Sequence, residues 1–174
     1  MLSMNIQSQY VYLKDISYDD IEKILKWYSR VDHFKYATGK DIPVEINELT
    51  SIYKESVESD SEFFTGIYKK DSNQMIGILK GRLESTHKNK VWIRTIVIDP
   101  HHQRKGYGRE SVRLSLSYLK AKGNASEAYL AVAEENVKGR QFWEALGFDF
   151  YKKMFSCVKI ADKQCEVVIM QKKL

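Results

Sequence analysis

The pattern of apolar and polar positions predicts that the chain begins with a strand followed by a helix. Residues 9–16 alternate as a strand does, and apolar residues then recur at helical spacing from Ile21 to Tyr28. Ser17 and Asp20, which precede this helix, form a capping-box pattern. The first strand is therefore expected to lead directly into a capped amphipathic helix.

A loop, a second helix and a run of strands are predicted next. Residues 31–42 contain a Thr-Gly break and are predicted as a loop, and Pro43 fits the first turn of a helix with apolar positions from Ile46 to Tyr53. Three strand-like segments joined by short turns then predict an antiparallel meander. The segments are residues 62–70, 74–86 and 90–99, and the turns are residues 71–73 and 87–89.

The remaining chain predicts two more helices and three more strands. One helix extends to about Lys122, with Val112, Leu116 and Leu119 turned inward, and a Gly-Asn pair ends it. A short strand, a helix and a two-strand terminal ribbon follow at residues 128–133, 137–146, 150–160 and 164–174. The order predicts one α+β domain over residues 1–174, with about seven strands and four helices.

Composition indicates an ordinary globular protein that is not exported. The chain has 174 residues, of which 43% are hydrophobic and 29% charged, and no apolar run approaches the ~20 residues of a membrane span. The first ten residues lack the pattern of a signal peptide. Cys157 and Cys165 fall in the predicted terminal ribbon and are expected to remain reduced thiols. A cytoplasmic protein without a membrane segment is predicted.

The charges are dispersed along the chain and do not favour a nucleic-acid partner. Net charge is +5, from 28 Lys and Arg against 23 Asp and Glu, and the basic doublets are interleaved with acids. The chain has no nucleic-acid recognition motif and no aromatic-basic platform. His101 and His102 are adjacent but lack further ligands, so no metal is predicted.

One basic cluster coincides with a glycine-rich loop between a strand and a helix. The segment 103–108 has the sequence QRKGYG. Glycines two residues apart let successive N–H groups point into one concavity, and a following helix N-terminus adds positive potential. The loop is therefore either an anion seat or a tight turn with solvated cations. The nucleoside-triphosphate loop ends in Gly-Lys-Ser/Thr, but here Gly108 is followed by Arg109-Glu110. The dinucleotide-binding fingerprint requires a third glycine, which this loop does not have.

A different pattern fits, and it extends on both sides of the loop. QRKGYG matches the Gln/Arg-x-x-Gly-x-Gly/Ala signature that holds the pyrophosphate of acetyl-coenzyme A (acetyl-CoA) in the GNAT N-acetyltransferases. Residues 93–112 resemble that family's strand-loop-helix motif, and residues 130–148, LAVAEENVKGRQFWEALGF, resemble the next one. The resemblance implies a mixed, mostly antiparallel central sheet that is splayed between its fourth and fifth strands.

The resemblance also implies how acetyl-CoA is held. The pantetheine arm would lie between the splayed strands, where Ile96, Val97 and Ile98 offer backbone groups and the Ile96 N–H acts as the oxyanion donor. Asn136 would reach the arm or serve as a helix N-cap, or do both. Phe142 and Trp143 would wall the thiol end. The diphosphate would be held by the loop residues, namely Gln103, Arg104, Lys105, Gly106, Tyr107, Gly108 and Arg109.

The chain departs from the family at both proton-transfer positions. Trp143 stands where the family often has a Tyr acid, and Trp92 stands where the histone-acetylating branch has a Glu base. A thiolate can leave unaided because thiols ionise near pH ~8.5, so catalysis is still expected. A water chain ending on Glu134, Glu84 or Asp99 is one candidate for the base, and a weakly basic acceptor would need none.

The acceptor is expected to be a primary amine of a small molecule or a protein N-terminus. By strand alternation Arg94 shares a face with Trp92 and Ile96, where it would either bind an acceptor carboxylate or phosphate or pair with Glu84. The resemblance places the rest of the acceptor wall in residues 28–41, including Tyr36, and in the terminal ribbon. The alternative function is a catalytically weak acyl-CoA-binding module. A monomer or homodimer is expected.

Overall fold

The computed structural model describes residues 1–85, 89–160 and 163–174, and the side chains of these residues except 156–160 and 163–165. Most of the predicted turn 87–89 and the side chains of Cys157 and Cys165 therefore lie outside the described part. Within it, eight strands and five α-helices are formed. The strands β1 to β8 are Ile6–Gln7, Val11–Asp15, Glu62–Lys69, Met75–Glu84, Asn89–Ile98, Ala125–Ala133, Asp149–Ile160 and Lys163–Lys173. The helices α1 to α5 are Ile21–Tyr28, Val31–Thr38, Ile46–Glu58, Tyr107–Gly123 and Val137–Glu144.

All described strands belong to one sheet, with the order β1-β2-β3-β4-β5-β6-β8-β7. Neighbouring strands are antiparallel except β5 and β6, which are parallel. This confirms the mixed, mostly antiparallel α+β sheet. The strand that the sequence does not predict is β1, which has two residues and is too short to show a period.

The helices agree with the sequence pattern except between residues 31 and 42. This segment was predicted as a loop, but Val31–Thr38 forms α2, which ends at Gly39 with a φ of +68°. In α2 the buried residue is Phe34, so the helix has almost no apolar stripe and depends on docking that residue into the core. The helix predicted from Pro43 begins at Ile46. The Ser17–Asp20 capping box is present.

Each face of the sheet has its own hydrophobic core. Helices α1, α2 and α3 cover one face, and α4 and α5 cover the other. Residues of β5 divide between these two cores. Val91 and Ile93 pack with the α4–α5 core, and Val97 packs with the α1–α3 core. As predicted, Val112, Leu116 and Leu119 of α4 are buried.

A β-bulge in β5 coincides with the end of its pairing with β6. Ile93 pairs with Gly81 and Thr95 pairs with Lys80, so Arg94 is the extra residue. A Cβ at Gly81 would lie 2.4 Å from the Trp92 carbonyl oxygen, so this close approach of the two backbones requires glycine. Bulges bend a strand and increase its twist. The bulge thus accounts for the separation of β5 from β6.

The parallel ladder between β5 and β6 ends where this bend begins. It runs from Asn89 and Ala125 to Ile93 and Leu130. The second half of β5 and the last residues of β6 therefore diverge, which confirms the splay between these two strands.

Among the described residues, no helix combines the length and the hydropathy that a membrane crossing requires.

Candidate active site

The divergence of β5 and β6 opens a cleft inside the sheet. Arg94 and Ala131 directly follow the last parallel pair of residues, and both are exposed although their strands are central. The parallel ladder between the two strands ends at this point, so a gap opens between their remaining residues. The cleft lies where the resemblance implies the pantetheine arm.

The backbone of β5 turns its polar groups toward this cleft at two positions. The Asp99 N–H donates to the Ile76 carbonyl of β4 at 2.7 Å. Because successive residues of a strand direct their N–H and C=O groups to opposite sides, Ile96 and Ile98 direct theirs away from β4. The Ile98 carbonyl accepts a hydrogen bond from Gln103 Nε2 at 2.8 Å. Val97 is buried and directs its N–H toward β4.

The bulge changes which face the side chains of β5 share. Ile96 and Ile98 pack against the same core as Val91 and Ile93. The expectation that Ile96 shares a face with Trp92 and Arg94 is therefore wrong, because the extra residue inverts the alternation. Trp92 lies on the α1–α3 face, where its ring stacks on Tyr129 at 5.3 Å.

The loop after β5 is anchored by Asp99. Its carboxylate accepts a hydrogen bond from the Trp27 indole at 2.9 Å and from the His101 N–H at 3.2 Å. Burial alone would raise the pKa of Asp99, but these hydrogen bonds and the nearby Lys26 outweigh it and lower the pKa. Asp99 thus joins α1 to the start of the glycine loop as a fixed carboxylate, which makes it a poor proton acceptor.

The glycine loop curls directly into α4. Arg104 and Gly106 have φ angles of +62° and +85°, so the chain passes through left-handed conformations before α4 begins at Tyr107. Such an alternation of conformations, followed by a helix N-terminus, brings N–H groups together at the positive end of the helix dipole. The side chains of Arg104 and Arg109 are exposed around it, and Lys105 Nζ bonds the His101 carbonyl at 2.9 Å.

Helix α5 packs beside this loop. A Cβ at Gly108 would lie 3.3 Å from Ile98 Cγ1 and 3.7 Å from Phe142, so the first turn of α4 contacts both β5 and α5. Asn136 caps α5 by accepting the Gly139 N–H at 2.9 Å. Trp143 is buried, with its ring 4.9 Å from Phe142 and edge-on to it.

Arg94 is paired within the protein, but with a different carboxylate from the one considered. Its Nη1 lies 2.5 Å from Glu62 Oε1, whereas Glu84 lies opposite Lys90 in the register of β4 and β5. Glu62 Oε2 also lies 3.5 Å from Lys80 Nζ. Burial lowers the pKa of Lys80. The internal partner removes the need for a substrate anion at Arg94.

The other carboxylates considered as a base are also engaged or distant. Glu134 Oε2 lies 2.6 Å from Lys153 Nζ, which also contacts Glu166. The Lys153 hydrogen bond holds the pKa of Glu134 below its usual value. Glu84 is the last residue of β4 and lies opposite Lys90, at the start of β5, whereas the cleft is at the other end of β5.

Within the described part of the chain, no three His, Cys, Asp or Glu side chains are grouped to hold a metal ion.

Two contacts at the cleft were not anticipated from the sequence. One is the Glu62–Arg94 pair, which joins residues on β3 and β5 across β4. The other joins Tyr36 Oη to Glu135 Oε1 at 2.8 Å. Both partners in each pair are far apart along the chain, and no short-range pattern signals such a contact. The sequence does show two adjacent glutamates, Glu134 and Glu135, directly after β6, and these carboxylates are the feature that suggests a polar contact there.

Three comparisons with known proteins bear on this arrangement. A family model described as an acetyltransferase (GNAT) domain matches residues 13–169. A probable spermine N(1)-acetyltransferase from Bacillus subtilis subsp. natto (strain BEST195) is 26% identical over 76 residues. That match covers 44% of this chain and 50% of the relative, so the chain spans about half the length of the curated relative it matches.

Solved structures share the fold over nearly the whole chain. Spermidine N-acetyltransferase from Vibrio cholerae, in complex with CoA and spermine, has a TM-score of 0.83 at 22% identity, covering 95% of this chain and 96% of that one. Ribosomal-protein-S5-alanine acetyltransferase from Vibrio fischeri has a TM-score of 0.76 at 16% identity, covering 98% and 96%.

Proposed function

This chain belongs to the acetyltransferase (GNAT) family, and from that premise we propose that it transfers the acetyl group of acetyl-CoA to a primary amine of a small molecule. The observation that supports this most directly is the cleft between β5 and β6, which lies beside the curled loop at the start of α4. A strand-like arm with amide groups fits between two diverging strands, and a diphosphate fits a helix N-terminus. The cleft and the loop are adjacent, as one ligand with both parts would require.

The backbone of β5 is proposed to bind the arm and the reacting carbonyl. Ile96 and Ile98 direct N–H and C=O groups toward the cleft, and the Ile96 N–H is proposed as the oxyanion donor. Such a donor contributes a few kcal/mol, roughly 2.7–4, when it is already in place before reaction. Gln103 occupies the Ile98 carbonyl, so that carbonyl would exchange this contact for a pantetheine amide.

The loop and the two helices around it are proposed to hold the remaining parts of the co-substrate. Exposed cations at Arg104, Lys105 and Arg109 surround the N–H groups that would meet the diphosphate. Phe142, beside Gly108, offers an apolar wall. Asn136 uses Oδ1 for its cap, which leaves its amide N–H₂ as the group proposed to reach the arm.

The neutral amine is proposed to attack the thioester carbonyl directly: the C–N bond forms, the C–S bond breaks, the thiolate leaves without an acid from the chain, and the nitrogen releases its proton to water. Trp143 has an indole N–H, which is not a usable acid, and it lies within the core beside Phe142 and Phe148. A thiol ionises near pH ~8.5, so the thiolate can depart without one. The acceptor enters from the α1–α3 face, where Trp92, Arg94 and Tyr36 lie.

Polyamines are the first acceptors to test. The curated relative is named for spermine, and one structural neighbour was solved with spermine bound. Thiol release from acetyl-CoA would be measured with polyamines, monoamines, amino sugars and peptides with free N-termini, and acetylated products identified by mass. We expect amine-dependent thiol release and one added acetyl group in the product. Tight acetyl-CoA binding without amine-dependent release would instead support the acyl-CoA-binding module.

A further inference from the structure

The acceptor face of the cleft is crossed by the hydrogen bond between Tyr36 and Glu135. Tyr36 belongs to α2, which packs against β5, and Glu135 follows the end of β6. The 2.8 Å contact therefore joins the two sides of the gap between these strands. The pair therefore lies on the side of the cleft from which the acceptor is proposed to enter.

Among the described side chains, none forms an ion pair with Glu135, unlike with its neighbour Glu134. Glu134 forms an ion pair with Lys153. Among the residues that the structure describes, Glu135 has no ion pair, and its hydrogen-bond donor is the neutral phenol of Tyr36. Within the described part of the chain, the carboxylate of Glu135 therefore lies at the cleft without an ion pair.

The contact is exposed enough to be exchanged. Glu135 is exposed, and Tyr36 retains 38% of its accessible surface. The phenol O–H and water both compete for this carboxylate. An ammonium that reaches Glu135 makes a charge-assisted hydrogen bond and also balances the charge of the carboxylate, which the neutral phenol does not, so it can replace the phenol.

We infer that Glu135 binds a second ammonium group of the acceptor, one that does not react, and that Tyr36 holds the carboxylate in position beforehand. A carboxylate raises the pKa of a neighbouring ammonium, and this would hinder the nitrogen that must become neutral to attack the thioester. Glu135 is therefore suited to the other end of the molecule. The inference rests on the proposed function, and it narrows the acceptor class to amines with two or more cationic groups.

The test compares two acceptors with the same four-carbon chain, 1,4-diaminobutane and 1-aminobutane, on the full-length protein with saturating acetyl-CoA. For Glu135→Gln we expect the KM for the diamine to rise roughly 10- to 100-fold, with kcat within about threefold. The KM for the monoamine should change by less than about threefold. The wild type should prefer the diamine. An acetyl-CoA affinity equal to that of the wild type, measured by calorimetry, would confirm that the variant is folded.

Two further variants separate a binding role from a structural one. Glu144→Gln removes the same charge from an exposed position of α5 and should leave both KM values within about twofold. Tyr36→Phe removes the hydrogen bond but keeps the Glu135 carboxylate, so the KM for the diamine should rise less than about fivefold. An equal loss in Tyr36→Phe and Glu135→Gln would show that the contact acts by joining α2 to β6, and it would overturn the inference.

The remaining outcomes are also decisive. An unchanged diamine KM in Glu135→Gln, an equal rise for both amines, or a wild type that prefers 1-aminobutane would each overturn the inference while the proposed function stands. Absence of thiol release with every amine would instead overturn the proposed function.

Discussion

At the scale of single residues, Gly108 is the position where one side chain most directly tests the loop. It lies in the first turn of α4, where a Cβ would meet Ile98 and Phe142 at 3.3 Å and 3.7 Å. Gly108→Asp also places a negative charge at the helix N-terminus, where the diphosphate is proposed to bind. We expect acetyl-CoA affinity to fall at least tenfold by calorimetry, and more than in Gly108→Ala. Equal affinities in the two variants would exclude an electrostatic role for this turn.

Asp99 provides a test of pH dependence. Its folded-state pKa is lowered, so its ionised form stabilises the fold above the ordinary value of 3.8, and this contribution is lost as the pH falls through the lowered pKa. At pH 7 we expect the wild type to be more stable than Asp99→Asn by roughly 1 kcal/mol in urea unfolding. This difference in unfolding free energy should be constant down to about pH 3.8 and should narrow as the pH falls below that value. A difference that also stays constant below that pH would show that it does not arise from the charge.

Residues whose role depends on the local backbone were predictable, and residues whose role depends on a distant partner were not. The sequence predicted the Ser17–Asp20 capping box and the Asn136 cap because both bond groups three residues away. The pair between Glu62 and Arg94 spans 32 positions, and the protein partner considered from the sequence was Glu84, which lies opposite Lys90. Strand alternation also placed Ile96 on the wrong face, because one extra residue in β5 changes the phase of the strand after it.

At the scale of elements, α5 depends on a cap that is also a proposed ligand contact, and the two roles can be separated. Asn136→Asp keeps a good N-cap acceptor but removes the amide N–H₂, whereas Asn136→Ala removes both. We expect Asn136→Ala to lose about 1 kcal/mol of unfolding free energy and Asn136→Asp to lose little. If the amide contacts the pantetheine arm, both variants should bind acetyl-CoA several-fold more weakly. If Asn136→Asp binds acetyl-CoA as tightly as the wild type, the role of Asn136 is restricted to capping α5.

Strands and long amphipathic helices were predictable elements, and α2 was not. Helix α4 carries Val112, Leu116 and Leu119 on one buried stripe, a pattern that its sequence shows directly. In α2, Phe34 alone is buried among eight residues, so propensity and periodicity are weak and tertiary packing decides the outcome. This matters for the site, because α2 carries Tyr36 to the cleft.

At the scale of the whole molecule, we expect the stability of the fold to depend on the co-substrate if acetyl-CoA binds in the cleft as proposed. A ligand that binds the folded state at 100 times its dissociation constant adds about 2.7 kcal/mol of stability. For a chain of this size this corresponds to a rise in Tm of roughly 5–11 °C. We expect such a rise with acetyl-CoA in a thermal scan of the wild type, and little or none in Gly108→Asp. A rise of equal size in that variant would place the binding elsewhere.

Because the bulge in β5 is one extra residue, the deletion of a single codon would remove it. Arg94 is a single codon, and its in-frame loss would leave Ile93 and Thr95 as neighbours opposite Gly81 and Lys80, with uninterrupted pairing. Without the local bend, the rest of β5 would be free to continue its ladder with β6 past Leu130. The product would be a more fully hydrogen-bonded sheet with no room for a co-substrate. We therefore expect the deletion of this one codon to abolish acetyl-CoA binding while the sheet is retained.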